Sequence, residues 1–189
     1  MRTLVVATQN PGKLAELQQL LGQTQFQLQP MPPELEIAET GATFQENAIL
    51  KARQTAQYTG HWAIADDSGL AIEALDGAPG IYSARYAETA QARIDRVLRE
   101  LKGQSNRRAQ FVCHMAVAQP DGQIVAEAEG ICPGEILEAC VGAGGFGYDP
   151  IFWVPSQQQT FAQMGSDLKH EIGHRGLALQ QLMPQLQHL

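Results

Sequence analysis

Cysteine is scarce in this chain of 189 residues, and no Cys-x-x-Cys pair occurs in it. Because Cys113, Cys132 and Cys140 are odd in number, the sequence predicts neither a disulfide framework nor a zinc site. No apolar run approaches membrane-spanning length, and the N-terminus lacks the pattern of a signal peptide. We therefore expect a cytoplasmic protein that has no membrane partner.

Positive charge is also in short supply. The chain carries 13 lysines and arginines against 20 acidic residues, which gives a formal net charge of −7. A general nucleic-acid binder would show a basic face, so this balance argues against one, although a few placed cations can still hold a small anionic ligand. Hydrophobic residues make up 44% of the chain, enough for a real core, and we expect one domain over residues 1–189 with two lobes.

The order of apolar runs and turn signals predicts an α/β fold with a mixed sheet. Helices follow strands early in the chain, and a Pro-Asp-Gly turn at 120–122 predicts a β-hairpin later. Asn10 is placed to cap the first helix with Pro11 at its first position, and Thr43 opens a capping box. The predicted strands are 4–7, 62–65, 109–118 and 124–131, and the predicted helices begin at 11, 43, 89 and 174 and end near 21, 60, 102 and 189.

Residues 142–150, Gly-Ala-Gly-Gly-Phe-Gly-Tyr-Asp-Pro, are unusually rich in glycine. Such backbone can adopt φ > 0 and approach a ligand closely, and few neighbouring side chains are available to cover Phe146 and Tyr148. Aromatic rings on an open platform suit a nucleobase, which stacks on them for roughly 1–3 kcal/mol. A glycine-rich turn whose Phe plugs the core is the alternative, and the stretch by itself fits both.

Lys13 stands in the opening turn of the first predicted helix, where its charge opposes the helix dipole. An anion between the lysine and free helix N–H groups would make that position favourable, and this is the usual helix-terminal phosphate site. On this reasoning Lys13→Ala is expected to leave the stability of the ligand-free protein unchanged or slightly higher. A solvated surface lysine is the alternative. A P-loop is excluded, because Ala7 and Leu14 stand where it needs Gly and Ser or Thr.

Asp66 and Asp67 follow the second predicted strand, and Glu39 is a third acidic candidate. Ligands gather at the carboxyl ends of strands in open α/β sheets, and Mg²⁺ bound to a triphosphate takes one or two protein carboxylates. Adjacent residues of a strand point to opposite faces, so one Asp should do the chemistry and the other should be structural. A polar turn is the alternative for Asp-Asp-Ser-Gly. Near the last helix, Lys169, His174 and Arg175 together supply donors for a phosphate or a base carbonyl.

Six ordered motifs extend a likeness over essentially the whole chain. They are Thr8-Gln9-Asn10-Pro11-Gly12-Lys13, Thr43-Phe44-Gln45-Glu46-Asn47-Ala48, Ala65-Asp66-Asp67-Ser68-Gly69-Leu70, the stretch 77–86 (GAPGIYSARY), the stretch 144–150 (GGFGYDP) and His174-Arg175. The chain closely resembles the inosine triphosphate pyrophosphatase, or Ham1-like, family. The resemblance implies Mg²⁺-dependent hydrolysis of ITP, dITP and XTP to the monophosphate and pyrophosphate. It also implies an elongated mixed sheet with flanking helices, two lobes around a central nucleotide cleft, and a homodimer.

The resemblance also implies the roles of individual residues. Asp67 would be the proton acceptor and a metal ligand, with Glu39 as the second ligand. Phe146 would stack on the purine while His174 and Arg175 donate towards its O6, a contact that adenine cannot accept. The implied substrate-binding residues are Thr8, Gln9, Asn10, Pro11, Gly12 and Lys13 in a phosphate turn, Ser68, then Phe146, Gly147, Tyr148 and Asp149 in a base loop, and Lys169, His174 and Arg175.

One position departs from the family pattern, since Gly173 stands where the family usually has Ser before His-Arg. Two other kinds of protein remain compatible with these residues. A nucleotide sensor would have the pocket without turnover, and a different phosphatase would release orthophosphate or act on pyrimidine nucleotides.

Overall fold

The computed structural model describes residues 2–22 and 25–187. Its strands are β1 (Arg2–Val6), β2 (Phe26–Pro30), β3 (Trp62–Ile72), β4 (Arg108–Ala118), β5 (Ile124–Ile136), β6 (Phe152–Val154) and β7 (Gln159–Thr160). Its helices are α1 (Pro11–Leu21), α2 (Phe44–Thr59), α3 (Ala90–Glu100), α4 (Ser166–Ile172) and α5 (His174–Leu186). No helix in this part of the chain is long and apolar enough to cross a membrane.

The strands form one seven-stranded sheet in the order β2-β1-β3-β4-β5-β6-β7. β1 is parallel to β2 and β3, whereas β6 is antiparallel to β5 and β7, so the predicted mixed sheet is confirmed. The predicted hairpin is also confirmed, because β4 and β5 are neighbours joined by a turn in which the Gln119 N–H donates to the Gln123 carbonyl at 3.0 Å. Sequence patterns did not predict β2, β6, β7 or α4.

Local chemistry sets the helix ends as predicted. The Asn10 side chain caps α1, and Thr43 caps α2 by accepting from the Glu46 N–H at 3.1 Å. Gly60 ends α2 in the left-handed region with φ 68°, where glycine has no Cβ penalty. The last helix begins at His174 as predicted, and its predicted end at 188–189 lies outside the described residues.

Two strand ends were wrong. The strand expected to end at 131 continues to Ile136 as β5. The strand expected to end before Asp66 continues to Ile72 as β3, so the Asp-Asp-Ser-Gly stretch is regular strand and not a polar turn. β1 ends at Val6, which is paired with Ile64, so the two aspartates lie just beyond the end of the neighbouring strand. Tertiary packing overrides the local turn preference here, because both carboxylates are buried among partners distant in sequence.

The chain divides into two compact units. The first unit comprises Met1–Asp67, Cys113–Gly130 and Arg175–Leu189, and the second comprises Ser68–Val112 and Ile131–His174. The expected single domain with two lobes stays a prediction.

Strand alternation gives the first unit two apolar layers. Leu4, Val6 and Ile64 pack with residues of α1 and α5 on one face of the sheet. Val5, Ala63, Ala65 and the alanines of α2 pack on the other face. The second unit has its own core, in which residues of α3 pack with Leu70, Ile72 and the rings of Phe111, Phe152 and Phe161.

Candidate active site

The turn between β1 and α1 is built by its own hydrogen bonds. Asn10 Oδ1 accepts from the N–H groups of Gly12 (2.9 Å) and Lys13 (3.3 Å), and the Asn10 carbonyl accepts from Leu14 N–H (3.0 Å). The expectation of free N–H groups for a phosphate at these three positions is therefore wrong, because the cap and the helix already use them. Thr8 Oγ1 accepts from Asn10 N–H at 3.2 Å.

Lys13 has a carboxylate partner within the protein. Its Nζ lies 3.1 Å from Asp66 Oδ2, and the Asp66 side chain is fully buried. The sequence argument that only a bound anion makes this lysine favourable is thus wrong, since Asp66 supplies the negative charge. Gln9, the turn's other long polar side chain, donates to the Leu35 carbonyl at 3.1 Å.

Asp66 is the centre of a buried ion-pair network. Arg175 Nη2 and Nε approach the same Oδ2 at 3.0 and 3.3 Å, and Arg175 Nη1 also donates to Glu16. Arg175 is buried, and its guanidinium pairs with the carboxylates of Asp66 and Glu16, which both belong to the first unit. The expected donation from Arg175 to a purine O6 does not fit these contacts. Sequence reasoning missed Glu16, which lies one turn after Lys13 on the same helix face.

Asp67 belongs to a separate cluster of polar side chains on the α2 side of the sheet. Lys51 Nζ lies 3.0 Å from Asp67 Oδ1 and 2.7 Å from Glu39 Oε1, so the two carboxylates converge on one ammonium. Asn47 Nδ2 donates to Asp67 Oδ2 at 3.2 Å, while Asn47 Oδ1 accepts from Gly41 N–H at 2.8 Å. The prediction that the adjacent aspartates face different surroundings is confirmed.

Sequence reasoning missed Asn47 and Lys51, although one signal was available. They are four residues apart on α2, one turn on the same helix face. The capping-box motif predicts only the start of α2, whereas both partners of Asp67 lie further along the same helix.

The two clusters shift their carboxyl pKa values in opposite directions. Burial would raise the pKa of Asp66, but the charges of Lys13 and Arg175 outweigh it and hold that pKa well below its usual range. Burial raises the pKa of Asp67, and the attraction of Lys51 only partly offsets this rise. Adjacent carboxyls with diverging pKa values are typical of sites where one group stays charged and the other exchanges a proton.

The oxygen donors of Glu39 and Asp67 suit a hard divalent cation. Both carboxylates already converge on a positive charge, and Mg²⁺ takes one or two protein carboxylates together with phosphates and water. Within residues 2–22 and 25–187, no group of three or more His, Cys, Asp or Glu side chains is arranged to hold a metal ion. Glu39 and Asp67 thus offer the number of protein carboxylates that such a cation takes.

The glycine-rich loop of the second unit is held together by Asp149. Asp149 Oδ2 accepts from the Phe146 N–H at 2.9 Å and from Lys169 Nζ at 2.6 Å. Gly145 has φ 69°, and a Cβ there would overlap the Asp149 carboxylate, so this position needs glycine. Lys169 Nζ also lies 5.0 Å from the centroid of the Phe146 ring, which is half-buried.

Tyr148 does not lie on an open platform, contrary to the sequence expectation. Its side chain is buried in the core of the second unit, and its hydroxyl donates to the Ser83 carbonyl at 2.8 Å. The ring is therefore unavailable to stack on a base. Gly147 beside it has φ 62°, and Ser68 is partly exposed within β3.

His174 begins α5 and is buried beside aromatic rings. The Phe111 ring is stacked on its imidazole with centroids 4.7 Å apart, and Phe161 follows at 6.1 Å. Gly173, just before it, donates its N–H to the Lys169 carbonyl at 2.9 Å, so the residue that replaces the usual Ser closes the end of α4.

Comparison with known proteins extends over nearly the whole chain. The model of the Ham1 family matches residues 4–185. A dITP/XTP pyrophosphatase of Nostoc sp. is 56% identical over 185 residues, covering 98% of this chain and 94% of the relative, and one of Synechocystis sp. is 54% identical, covering 98% and 95%. A solved HAM1 protein from Coxiella burnetii has a TM-score of 0.89 and 44% identity over 100% of both chains. The Staphylococcus aureus Ham1 protein has a TM-score of 0.86 and 38% identity, covering 99% of this chain and 98% of that protein.

Proposed function

We propose that this chain, which belongs to the Ham1 family, hydrolyses ITP, dITP and XTP to the nucleoside monophosphate and pyrophosphate. Relatives that are more than half identical over nearly its whole length carry the name dITP/XTP pyrophosphatase. The observation that carries the proposal is the Glu39–Lys51–Asp67 cluster, in which a carboxyl of raised pKa adjoins a second carboxylate and a lysine.

Asp67 is the proposed proton acceptor. The reaction joins a water oxygen to phosphorus and breaks the bridge between the α and β phosphates, and the water proton passes to an Asp67 oxygen. Lys51 and Asn47 hold one oxygen each of this carboxylate, which fixes its orientation. A raised pKa makes Asp67 a better base than an ordinary exposed carboxylate.

Glu39 and Asp67 are the proposed ligands of Mg²⁺. The metal supplies charge neutralisation at the phosphate oxygens when it is bound. Lys51 lies between the two carboxylates, so its ammonium offsets their mutual repulsion in the ligand-free protein.

Lys13 is the proposed contact of the leaving pyrophosphate. An ammonium has three donors and Asp66 takes one, which leaves others for phosphate oxygens. Thr8, Gln9, Asn10, Pro11 and Gly12 shape the turn that presents this lysine. Asp66 then serves to hold Lys13 and Arg175 in place, and we assign Arg175 this positioning role instead of a contact with the base.

The base is proposed to stack on Phe146, with His174 donating to the carbonyl at purine C6. Asp149, paired with Lys169, fixes the loop that carries Phe146, and Gly147 gives that loop its turn. Ser68 remains a proposed substrate contact. A donor aimed at O6 faces the amino group of adenine in ATP and stays unpaired, and sites of this kind discriminate by up to about 10⁴-fold.

The proposal includes a cytoplasmic location and a homodimer. Cys113, Cys132 and Cys140 are all free thiols, as is usual in a reducing compartment. The assembly is checked by light scattering during size-exclusion chromatography, where a monomer mass would remove that part of the proposal.

A nucleotide panel with Mg²⁺ tests the activity. ITP, dITP, XTP, ATP and CTP are incubated with the enzyme, and pyrophosphate and orthophosphate are scored separately. We expect pyrophosphate from the first three and much slower turnover of the others, with loss of activity in EDTA. Orthophosphate as the main product, or equal rates with ATP, would contradict the proposal, and tight binding without turnover would indicate a nucleotide sensor.

A further inference from the structure

A buried group of aromatic rings in the second unit has no role in the chemistry above. Phe111 on β4, Phe152 on β6 and Phe161 just after β7 pack together, with Phe152 meeting Phe111 edge-on at 4.6 Å between centroids. The ring of His174 continues this stack. A polar imidazole is thus built into an otherwise apolar core.

Phe111 is the ring that lies flat against His174. Their centroids are 4.7 Å apart and their planes differ by 11°, while Phe161 lies nearly parallel to Phe111 at 5.6 Å. Phe111 is 7% exposed and His174 is 5% exposed. The imidazole therefore has little room to rotate, because rotation would drive its edge into the face of Phe111.

Two further rings of the core hold Phe111. The fully buried Phe152 meets it in a T-shaped contact, and Phe161 packs against both of these phenylalanines. The plane of Phe111 is consequently set by the core and not by any ligand. The core thus fixes the plane of the Phe111 ring, and the Phe111 ring in turn fixes the plane of the His174 imidazole.

We propose that Phe111 is a positioning residue for base recognition, which it serves by fixing the plane of the His174 imidazole before substrate arrives. This inference rests on the proposed function, in which His174 donates to the purine carbonyl. A donor held in one orientation favours the carbonyl of ITP over the amino group of ATP. A donor free to rotate loses that preference, because a misplaced group contributes far less to the transition state.

Phe111→Leu tests the proposal, with Phe152→Leu as the matched control. Both changes replace a buried ring of the same cluster by the same aliphatic side chain, but only Phe111 lies flat on His174. We expect the ratio of kcat/KM for ITP to that for ATP to fall about tenfold in Phe111→Leu. It should change by less than twofold in Phe152→Leu, because Phe161 still lies nearly parallel to Phe111 in that variant and Phe111 itself still covers the imidazole. Equal ratios in the two variants would overturn the proposal, even if both lose thermal stability.

A spectroscopic measurement tests the stack without turnover. In proton–carbon spectra of histidine-labelled protein, the ring current of Phe111 should displace the His174 imidazole signals upfield of those from the other four histidines. His174→Gln identifies those signals by their disappearance. The displacement should be lost in Phe111→Leu and kept in Phe152→Leu. An undisplaced His174 signal in the wild type would refute the stack, whatever the stability of the variants.

The two proposals fail in different ways. If wild-type enzyme releases no pyrophosphate from ITP, the proposed function is wrong while the spectra still report on the stack. If wild-type activity and selectivity are as expected but Phe111→Leu keeps the wild-type ratio, the function stands and the positioning role is wrong.

Discussion

Replacing Asp66 by Asn separates the two adjacent aspartates of β3. The change keeps the size of the side chain and one carbonyl-type acceptor, but it removes the negative charge that Lys13 and Arg175 share. The Arg175 side chain is only 3% exposed, so its guanidinium cannot turn to water, although its ion pair with Glu16 is kept.

The expected loss of stability is large. Removing one partner of a buried ion pair typically costs about 3–5 kcal/mol, because buried positive charge loses that partner and cannot reach water instead. For a chain of this length each kcal/mol lowers Tm by about 2–4 °C, so Asp66→Asn should lower it by about 6–20 °C. Such a loss takes much of the free energy of unfolding of an ordinary protein.

Asp67→Asn should change the stability little and remove most of the activity. Folding raises the pKa of Asp67, so the folded state gains little from this charge, and Lys51 keeps Glu39 as a partner at 2.7 Å. We expect Tm to change by less than about 4 °C, the equivalent of about 1 kcal/mol, while pyrophosphate release from ITP nearly disappears.

Melting curves and a pyrophosphate assay on the two purified variants give the comparison. Wild-type protein and Asp66→Asn are assayed below the lowered Tm, so that unfolding does not imitate a loss of chemistry. Near-normal kcat in Asp67→Asn would give the proton-accepting role to another residue. A Tm for Asp66→Asn equal to that of the wild type would refute the argument from the buried network.

Two further substitutions test the site from other directions. Lys13→Ala should destabilise the ligand-free protein by about 1.5–3 kcal/mol, because a charged hydrogen bond to buried Asp66 is lost. It should also lower kcat/KM for ITP at least tenfold. An unchanged or higher Tm would mean that the unfavourable interaction of Lys13 with the helix dipole outweighs its pairing with Asp66. Gly173→Ser introduces the residue usual in the family, but its Cβ would overlap the Lys169 carbonyl. We therefore expect the free energy of unfolding from chemical denaturation to fall by about 1–3 kcal/mol. An unchanged free energy of unfolding would show that the end of α4 shifts to accommodate the side chain at little cost.

Elements with local signals could be predicted from the sequence. The caps of α1 and α2 depend on side chains within three residues of the helix start, and Asn10 and Thr43 make the hydrogen bonds that their positions predict. The end of β3 could not be predicted in the same way. Asp-Asp-Ser-Gly has the composition of a turn, and it remains strand because Asp66 meets Arg175, which is 109 residues away in sequence.

The site shows the same division between local and distant information. Residue type and spacing were enough to predict the acidic residues and the glycine loop as candidates, whereas Lys51 was missed because a lysine within a helix usually lies in solvent. Tyr148 was misjudged for a related reason. Its glycine neighbours suggest exposure, but its hydroxyl reaches a carbonyl 65 residues earlier in the chain.

Strand alternation alone predicts that Asp66 and Asp67 point apart, but it cannot say which of them is free to exchange a proton. That difference comes from the helices that cover each face. On the side of α1 and α5, Lys13 and Arg175 surround the buried Asp66 carboxylate and hold its pKa well below its usual range. On the side of α2, burial raises the pKa of Asp67, and the Glu39 carboxylate beside the same lysine raises it further. We therefore expect the different roles proposed for Asp66 and Asp67 to depend on residues of α1, α2 and α5, and not on β3 itself.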